Sequence, residues 1–262
     1  MEKQTDTPRV VTGNPRYDRL LSLIEANGYM RIDELASLLG VSSQTIRRDI
    51  KKLSEEGVLS RHHGGVGQAS SAVNRDLGAR EVSQIEEKTR IARAIAERIP
   101  DQSTIFLSAG TTIEYVARAL EVRRNLRIIT TCIRVANILF PRRDFEVMVP
   151  GGSIRAQNSG IVGFTAQNFL HDFRADHLIM SLGALDEDGT MLDFDFNEVA
   201  VVKIMMNNAK KIWVAADSTK YGASASVAIG HVSEIDALFS DSKPSAALES
   251  ILEHQQVELI CC

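Results

Sequence analysis

Between Ser42 and Gly65 the chain sets cationic, amide and hydroxyl side chains at spacings that suit a polyanion. If residues 43–53 are helical, Ile46, Ile50 and Leu53 make an apolar stripe that can lie on a small core. Ser42, Ser43, Gln44, Thr45, Arg47, Arg48, Lys51 and Lys52 then share the start and the opposite face. Donors and positive charge arranged this way fit the phosphates and base edges of a DNA groove. Arg61, His62, His63, Gly64 and Gly65 follow as a short, basic, glycine-ended ribbon suited to the DNA backbone. No cysteine or acid stands near His62 and His63 to complete a metal site, so backbone contact is the better reading for that pair. A Lys/Arg-rich helix face is usually just solvated. Here a glycine turn precedes it and a basic ribbon follows, and the three features together favour DNA.

A second set of groups follows short apolar runs further along. Ser108, Gly110, Thr111 and Thr112 come after residues 104–107, and Thr111 with Glu114 reads as a capping box opening a helix. Gly151, Gly152 and Arg155 follow residues 145–149, Gly160 lies in a stretch of small residues, and Lys220 ends the run Asp217-Ser218-Thr219. Hydroxyls, helix-start amides, glycines that let backbone approach and two cations would together hold a small phosphorylated metabolite. The spacing is neither that of a Walker A loop nor that of a dinucleotide fingerprint. Asp193, Asp195 and Glu198 stand before a helix, where acids usually cap and complement the dipole. With no nucleophile–base pair and no metal cluster, no catalytic residue, metal or cofactor is expected, and binding is favoured over turnover.

Holding these groups takes two kinds of element. A helix over 16–27 ends at Gly28, and a second over 32–39 turns Leu35, Leu38 and Leu39 inward with Asp33 and Glu34 in its first turn. Gly40-Val41 turns tightly, Ser42 or Ser43 caps the third helix, Gly57 stops it, and a strand from Val58-Leu59 begins a wing. That is a winged helix-turn-helix over residues 16–67, after a disordered leader at 1–15 and before a small, polar linker at 68–80. From residue 81 the character changes. A helix over 81–99 carries Ile85, Ile91, Ala92, Ile95 and Ile99 on one face. Apolar runs at 104–107, 126–129, 145–149, 178–182, 212–216, 237–239 and 257–260 then alternate with helical stretches near 111–121, 133–140, 197–209 and 245–254. Such alternation predicts an α/β domain with a mostly parallel sheet covered by helices on both faces. Ligands of such sheets bind beyond the strands' carboxyl ends.

Composition narrows the class. A net charge of −4 excludes a chain that coats nucleic acid along its whole surface. The basic helix and ribbon, residues 42–63, hold five Lys/Arg against three Asp/Glu, so pattern rather than charge carries the DNA reading. Three cysteines, two of them adjacent, make no disulfide framework and fit free thiols in a reducing compartment. The polar N-terminus is no signal peptide, and no apolar run could span a bilayer, which points to a cytoplasmic protein with no membrane partner.

Ser43-Gln44-Thr45-Ile46-Arg47-Arg48-Asp49-Ile50, with Leu53, Gly57 and Arg61-His62-His63-Gly64-Gly65, resembles the helix-turn-helix signature of the DeoR-type bacterial transcriptional repressors. The resemblance extends through Glu87-Lys88, Gly110-Thr111-Thr112, Gly151-Gly152, the acidic stretch 193–198 and Asp217-Ser218-Thr219-Lys220. Ser70-Ser71 with Asn74, and Leu192-Asp193-Phe194-Asp195-Phe196 with Glu198-Val199, look most like the glycerol-3-phosphate regulon repressors. The resemblance implies a winged helix-turn-helix joined to an effector-binding and oligomerisation domain over 81–262, similar to ribose-5-phosphate isomerase but without turnover. It implies a dimer or tetramer on double-stranded operator DNA, released by a phosphorylated sugar or polyol, glycerol 3-phosphate favoured. Two positions depart from the family pattern: Ser108 stands where an acid is usual, and Thr131 where Asn is usual. The alternatives are a sugar-phosphate isomerase-like enzyme with an appended DNA-binding domain, or an effector-blind regulator.

Overall fold

A computed structural model describes residues 14–27, 29–55, 59–62, 65–68 and 83–262, which fall into two compact units, 1–70 and 71–262. The expected leader, the linker, Gly57, His63 and Gly64 lie largely or wholly outside the described residues.

The first unit runs α1 (Pro15–Asn27), β1 (Tyr29–Arg31), α2 (Ile32–Leu39), α3 (Ser43–Glu55), β2 (Leu59–His62) and β3 (Gly65–Gln68). Its antiparallel sheet has the order β1-β3-β2, with Arg31 and His62 both opposite Gly65. The core is small: Leu20 and Ile24 from α1, Met30, Leu35 and Ala36, then Ile46, Ile50 and Leu53 from α3, closed by Leu59 and Val66. Leu38, expected inward, is 55% exposed. At about 100° per residue, Leu35, Ala36 and Leu39 share an arc that Leu38 falls outside. Gly40 adopts φ +64°, and the Val41 N–H donates to Ala36 O at 3.0 Å, closing α2 in a left-handed stop that favours glycine.

The second unit holds a seven-stranded sheet in the order β15-β14-β12-β9-β4-β5-β6, every neighbouring pair parallel. The strands are β4 (Thr104–Leu107), β5 (Arg127–Thr130), β6 (Glu146–Met148), β9 (Ala175–Met180), β12 (Ala209–Ala215), β14 (Ala237–Ser240) and β15 (Glu258–Cys261). All seven overlap the apolar runs expected to be strands. Alternation along them feeds two cores. Ile105, Leu107, Ile128, Ile179, Trp213 and Phe239 pack with α4 (Ile85–Arg98), α5 (Thr111–Ala119) and α6 (Ile133–Leu139). Phe106, Ile129, Leu178, Met180, Val214 and Leu238 pack with α7 (Phe164–His171), α8 (Phe196–Asn208) and α9 (Ala246–His254). Ile85, at the first position of α4, is 47% exposed, in contrast to its expected place on the buried face. The sequence reading also missed β1, α7, the hairpin β7 (Ser153–Ile154)–β8 (Ile161–Val162), and a small antiparallel sheet of β10 (Ala184–Leu185), β11 (Thr190–Asp193) and β13 (Val227–His231). No helix among the described residues is long and apolar enough to cross a membrane.

The small core of the first unit has a measurable consequence. Leu53 is fully buried, and Leu53→Ala is expected to cost roughly 2–5 kcal/mol. Hydrogen exchange should show lost amide protection across α1–α3, while β4 and β9 keep theirs. Unchanged protection in α1–α3 would contradict the packing described.

Candidate functional site

The third helix begins on Ser42, whose Oγ accepts from the Thr45 N–H at 3.1 Å and lies 2.9 Å from Thr45 Oγ1. Ser43 Oγ donates to Asp33 Oδ1 at 2.8 Å, tying the start of α3 to the first turn of α2. Beyond them Gln44, Arg47, Arg48, Lys51 and Lys52 are exposed and Thr45 is half-buried, while Ile46, Ile50 and Leu53 are in the core. Asp49 is the acid that the sequence places in the middle of this helix, and it is only 3% exposed. Arg16 holds it from α1 with Nε at 2.6 Å and Nη2 at 3.0 Å, a two-pronged grip that also keeps the Arg16 guanidinium pKa above its ordinary value. The anion is thereby taken off the outer face. Between Gln44 and Lys52 that face carries four cations and no exposed carboxylate, a stronger field than the sequence count suggested. Arg16 was not foreseen as a positioning residue, since it lies 33 positions from its partner. In the wing, Arg61 and His62 are the last two residues of β2.

The second site follows from strand order. β4 and β5 run out toward β6 on one side, while β9 returns to the other side of β4, so the winding reverses between β4 and β9. Helices leave to opposite faces there, and a crevice opens at the carboxyl ends. Ser108, Thr131 and Ser181, each the first residue after its strand, line a small cleft that is partly open to solvent. Gly160, Asp193, Glu198, Val201 and Val202 complete most of the wall. Backbone and wall approach closely at Gly160, where a Cβ would sit 2.9 Å from Glu198 Oε1 and 3.0 Å from Asn158 Oδ1 and displace those side chains.

Several expected residues are not part of the lining. Gly110 opens α5 at φ +141°, where a Cβ would fall 2.5 Å from Ser181 Oγ. No side chain caps this helix start, because Glu114 instead pairs with Arg134 at 2.9 Å from α6; the expected capping box is absent. Thr111 and Thr112 are buried in the first turn of α5. Gly151 and Gly152 precede the β7–β8 hairpin, where a Cβ on Gly152 would meet Val162 O at 2.6 Å. Lys220 ends a short 3-10 turn (Ser218–Lys220) after β12, away from the cleft lining. Arg155 projects from the hairpin to Asp195, with its Nε 3.3 Å from Glu198 Oε1. Asp195 also caps α8, accepting from the Asn197 and Glu198 amides at 2.9 and 3.1 Å. Burial alone would lift the Asp195 pKa, but Arg155 and those amides outweigh it and hold the carboxyl below its ordinary range. For Glu198 burial prevails over the Asn158 hydrogen bond, and with the charge of Asp193 it raises the pKa. The rule that found Ser108 also applies to Ser181, which was hidden inside an expected strand; the apolar lining gave no sequence signal. Among the described residues no His, Cys, Asp and Glu cluster could hold a metal.

Two family models divide the chain much as its structure does. Residues 16–72 match a DeoR-like helix-turn-helix domain and residues 83–242 a DeoR C-terminal sensor domain. The HTH-type transcriptional repressor CsqR of Escherichia coli is 58% identical over 250 residues, covering 95% of this chain and 96% of that protein. The glycerol-3-phosphate regulon repressor of Escherichia coli is 38% identical over 247 residues, covering 94% and 98%. A ribose 5-phosphate isomerase from Methanocaldococcus jannaschii superposes on 53% of this chain and 55% of its own, with TM-score 0.41 and 16% identity. With its helix-turn-helix, its sensor domain and these full-length relatives, the chain belongs to the DeoR family of transcriptional repressors.

Proposed function

We propose that this repressor reads double-stranded operator DNA with the outer face of α3 and the wing, and lets go when a small phosphorylated sugar or polyol fills the cleft beside β4. The observation that carries the DNA half is the burial of Asp49 against Arg16, which leaves Gln44, Arg47, Arg48 and Lys51 as a face of donors and positive charge. Ser42 and Ser43 set the start of that helix, and Arg61, His62, His63 and Gly64 take the DNA backbone. The protein works in the cytoplasm, and its three free cysteines suit that compartment. It binds as a homo-oligomer, dimer or tetramer, because one recognition helix covers only part of an operator.

The effector half rests on the cleft's make-up. Three hydroxyls and two carboxylates, on a wall that is otherwise small or apolar, suit a ligand with several hydroxyl groups. Glycerol 3-phosphate is the first ligand to try, since a repressor named for that regulon is 38% identical across nearly the whole chain. The name of the relative at 58% specifies no ligand, so the chemical class is argued from the cleft. For release, the ligand must bind the DNA-incompetent state better than the DNA-competent one.

Two measurements test the reading. Arg48→Ala is expected to weaken operator binding and, for a phosphate contact, to reduce the slope of log affinity against log salt by roughly one. Unchanged affinity and slope would remove Arg48 from the interface. Millimolar glycerol 3-phosphate should lower operator affinity by about 5–150-fold, the range of ordinary coupling, with a smaller effect from glycerol. Equal affinity with and without the phosphorylated ligand would refute release by it.

A further inference from the structure

The cleft described above presents a charge problem for an anionic ligand. Its lining carries Asp193 and Glu198 and no Lys or Arg. A phosphate set directly against those carboxylates would be repelled, whereas ligand hydroxyls could donate to them. Arg155 is the cation in contact with this wall, and it is already engaged: Nη1 meets Asp195, and Nε lies 3.3 Å from Glu198 Oε1 without completing a hydrogen bond. Two carboxylates therefore share one guanidinium that still has donor capacity.

Each carboxylate also has other partners. Asp195 keeps the amides of Asn197 and Glu198 at the start of α8, and Glu198 keeps Asn158 Nδ2. Losing Arg155 would leave neither without a hydrogen-bond donor, which lessens the penalty for breaking a partly buried pair. The guanidinium itself is fixed at its root, since the Arg155 N–H donates to Gly160 O at 2.8 Å and Arg155 O accepts from the Ser159 N–H at 2.9 Å. The root stays in place while the head changes partner.

We infer that the anionic end of the effector is received by Arg155 in exchange for Asp195 and Glu198, while Asp193 and Glu198 take the ligand's hydroxyl groups. This rests on the effector reading proposed above and assigns which residue meets which part of the ligand. It also makes binding a partner exchange at the first turn of α8. Asp195 is released from its cation as the ligand arrives, and the exposed Phe196 beside it lies on the segment whose restraint has changed.

The test is calorimetric titration of the full chain with glycerol 3-phosphate, inorganic phosphate and glycerol. Asp195→Asn keeps an oxygen to cap α8 but removes the competing charge. It should bind glycerol 3-phosphate and inorganic phosphate roughly three- to tenfold more tightly than the unaltered protein, with glycerol unchanged. Arg155→Gln should erase the preference for glycerol 3-phosphate over glycerol, and Arg155→Lys should restore part of it. In the unaltered protein, inorganic phosphate should also move the Arg155 Nε–H resonance. Unchanged or weaker phosphate binding in Asp195→Asn, or a full phosphate preference in Arg155→Gln, overturns the exchange while leaving the effector reading intact. If the unaltered protein binds neither glycerol 3-phosphate nor inorganic phosphate, both the exchange and the phosphorylated effector fall.

Discussion

Successive strands of a parallel sheet can pair only if the chain returns to the same end of the sheet after every strand, and each return crosses a face. Because such crossovers share one hand, the direction in which strands are added decides which face the helix covers. In this protein β4 is laid down first, and its neighbours are added toward β6 on one side and, from β9 onward, on the other. Helices must then part on either side of β4. The crevice is a by-product of that parting, and Ser108, Thr131 and Ser181 line it because they are where three adjacent strands end. The Gly160 and Glu198 wall depends on this too, since α8 reaches the crevice only by belonging to the far half of the sheet.

Within that frame the polar groups are shared between structure and recognition. Asp195 caps a helix and holds Arg155, and Glu198 lines the cleft while accepting from Asn158. Asp49 in the first unit has the simpler part: it gives up its contact with water to bind Arg16, joining two helices and clearing an anion from the outer face. In each unit a carboxylate, buried at Asp49 and half-buried at Asp195, decides where a cation points. The fixed charges around a site therefore set its field as much as the groups that touch a ligand.

What could be read from the sequence follows the range of the forces involved. The inner strands of the large sheet were legible because both faces are buried, which forces apolar runs such as Ile105-Phe106-Leu107 and Trp213-Val214-Ala215. The helix-turn-helix was legible because Gly40, Ser42 and the 3.6-residue stripe all act within a few positions. Strands β1, β7, β8, β10 and β11 are two to four residues long, and pairing with other segments rather than composition makes them strands. The expected capping box at Thr111 failed for the same reason, since an arginine 20 positions away claimed Glu114. Strand ends pointed to Ser108 and Thr131, which line the crevice. They could not give Val201 and Val202, which are ordinary helix residues until α8 is packed against the crevice.

The length of α3 sets a limit on what one copy can say. Thirteen residues at about 1.5 Å each make a rod of roughly 20 Å, which spans about six base-pair steps of a groove. At about two bits for a fully specified pair, that is a word of roughly twelve bits, whereas singling out one address among about a million competing sites takes roughly twenty. A single head is thus a reader with too short a word. Reading the word twice would supply the missing bits without enlarging the helix.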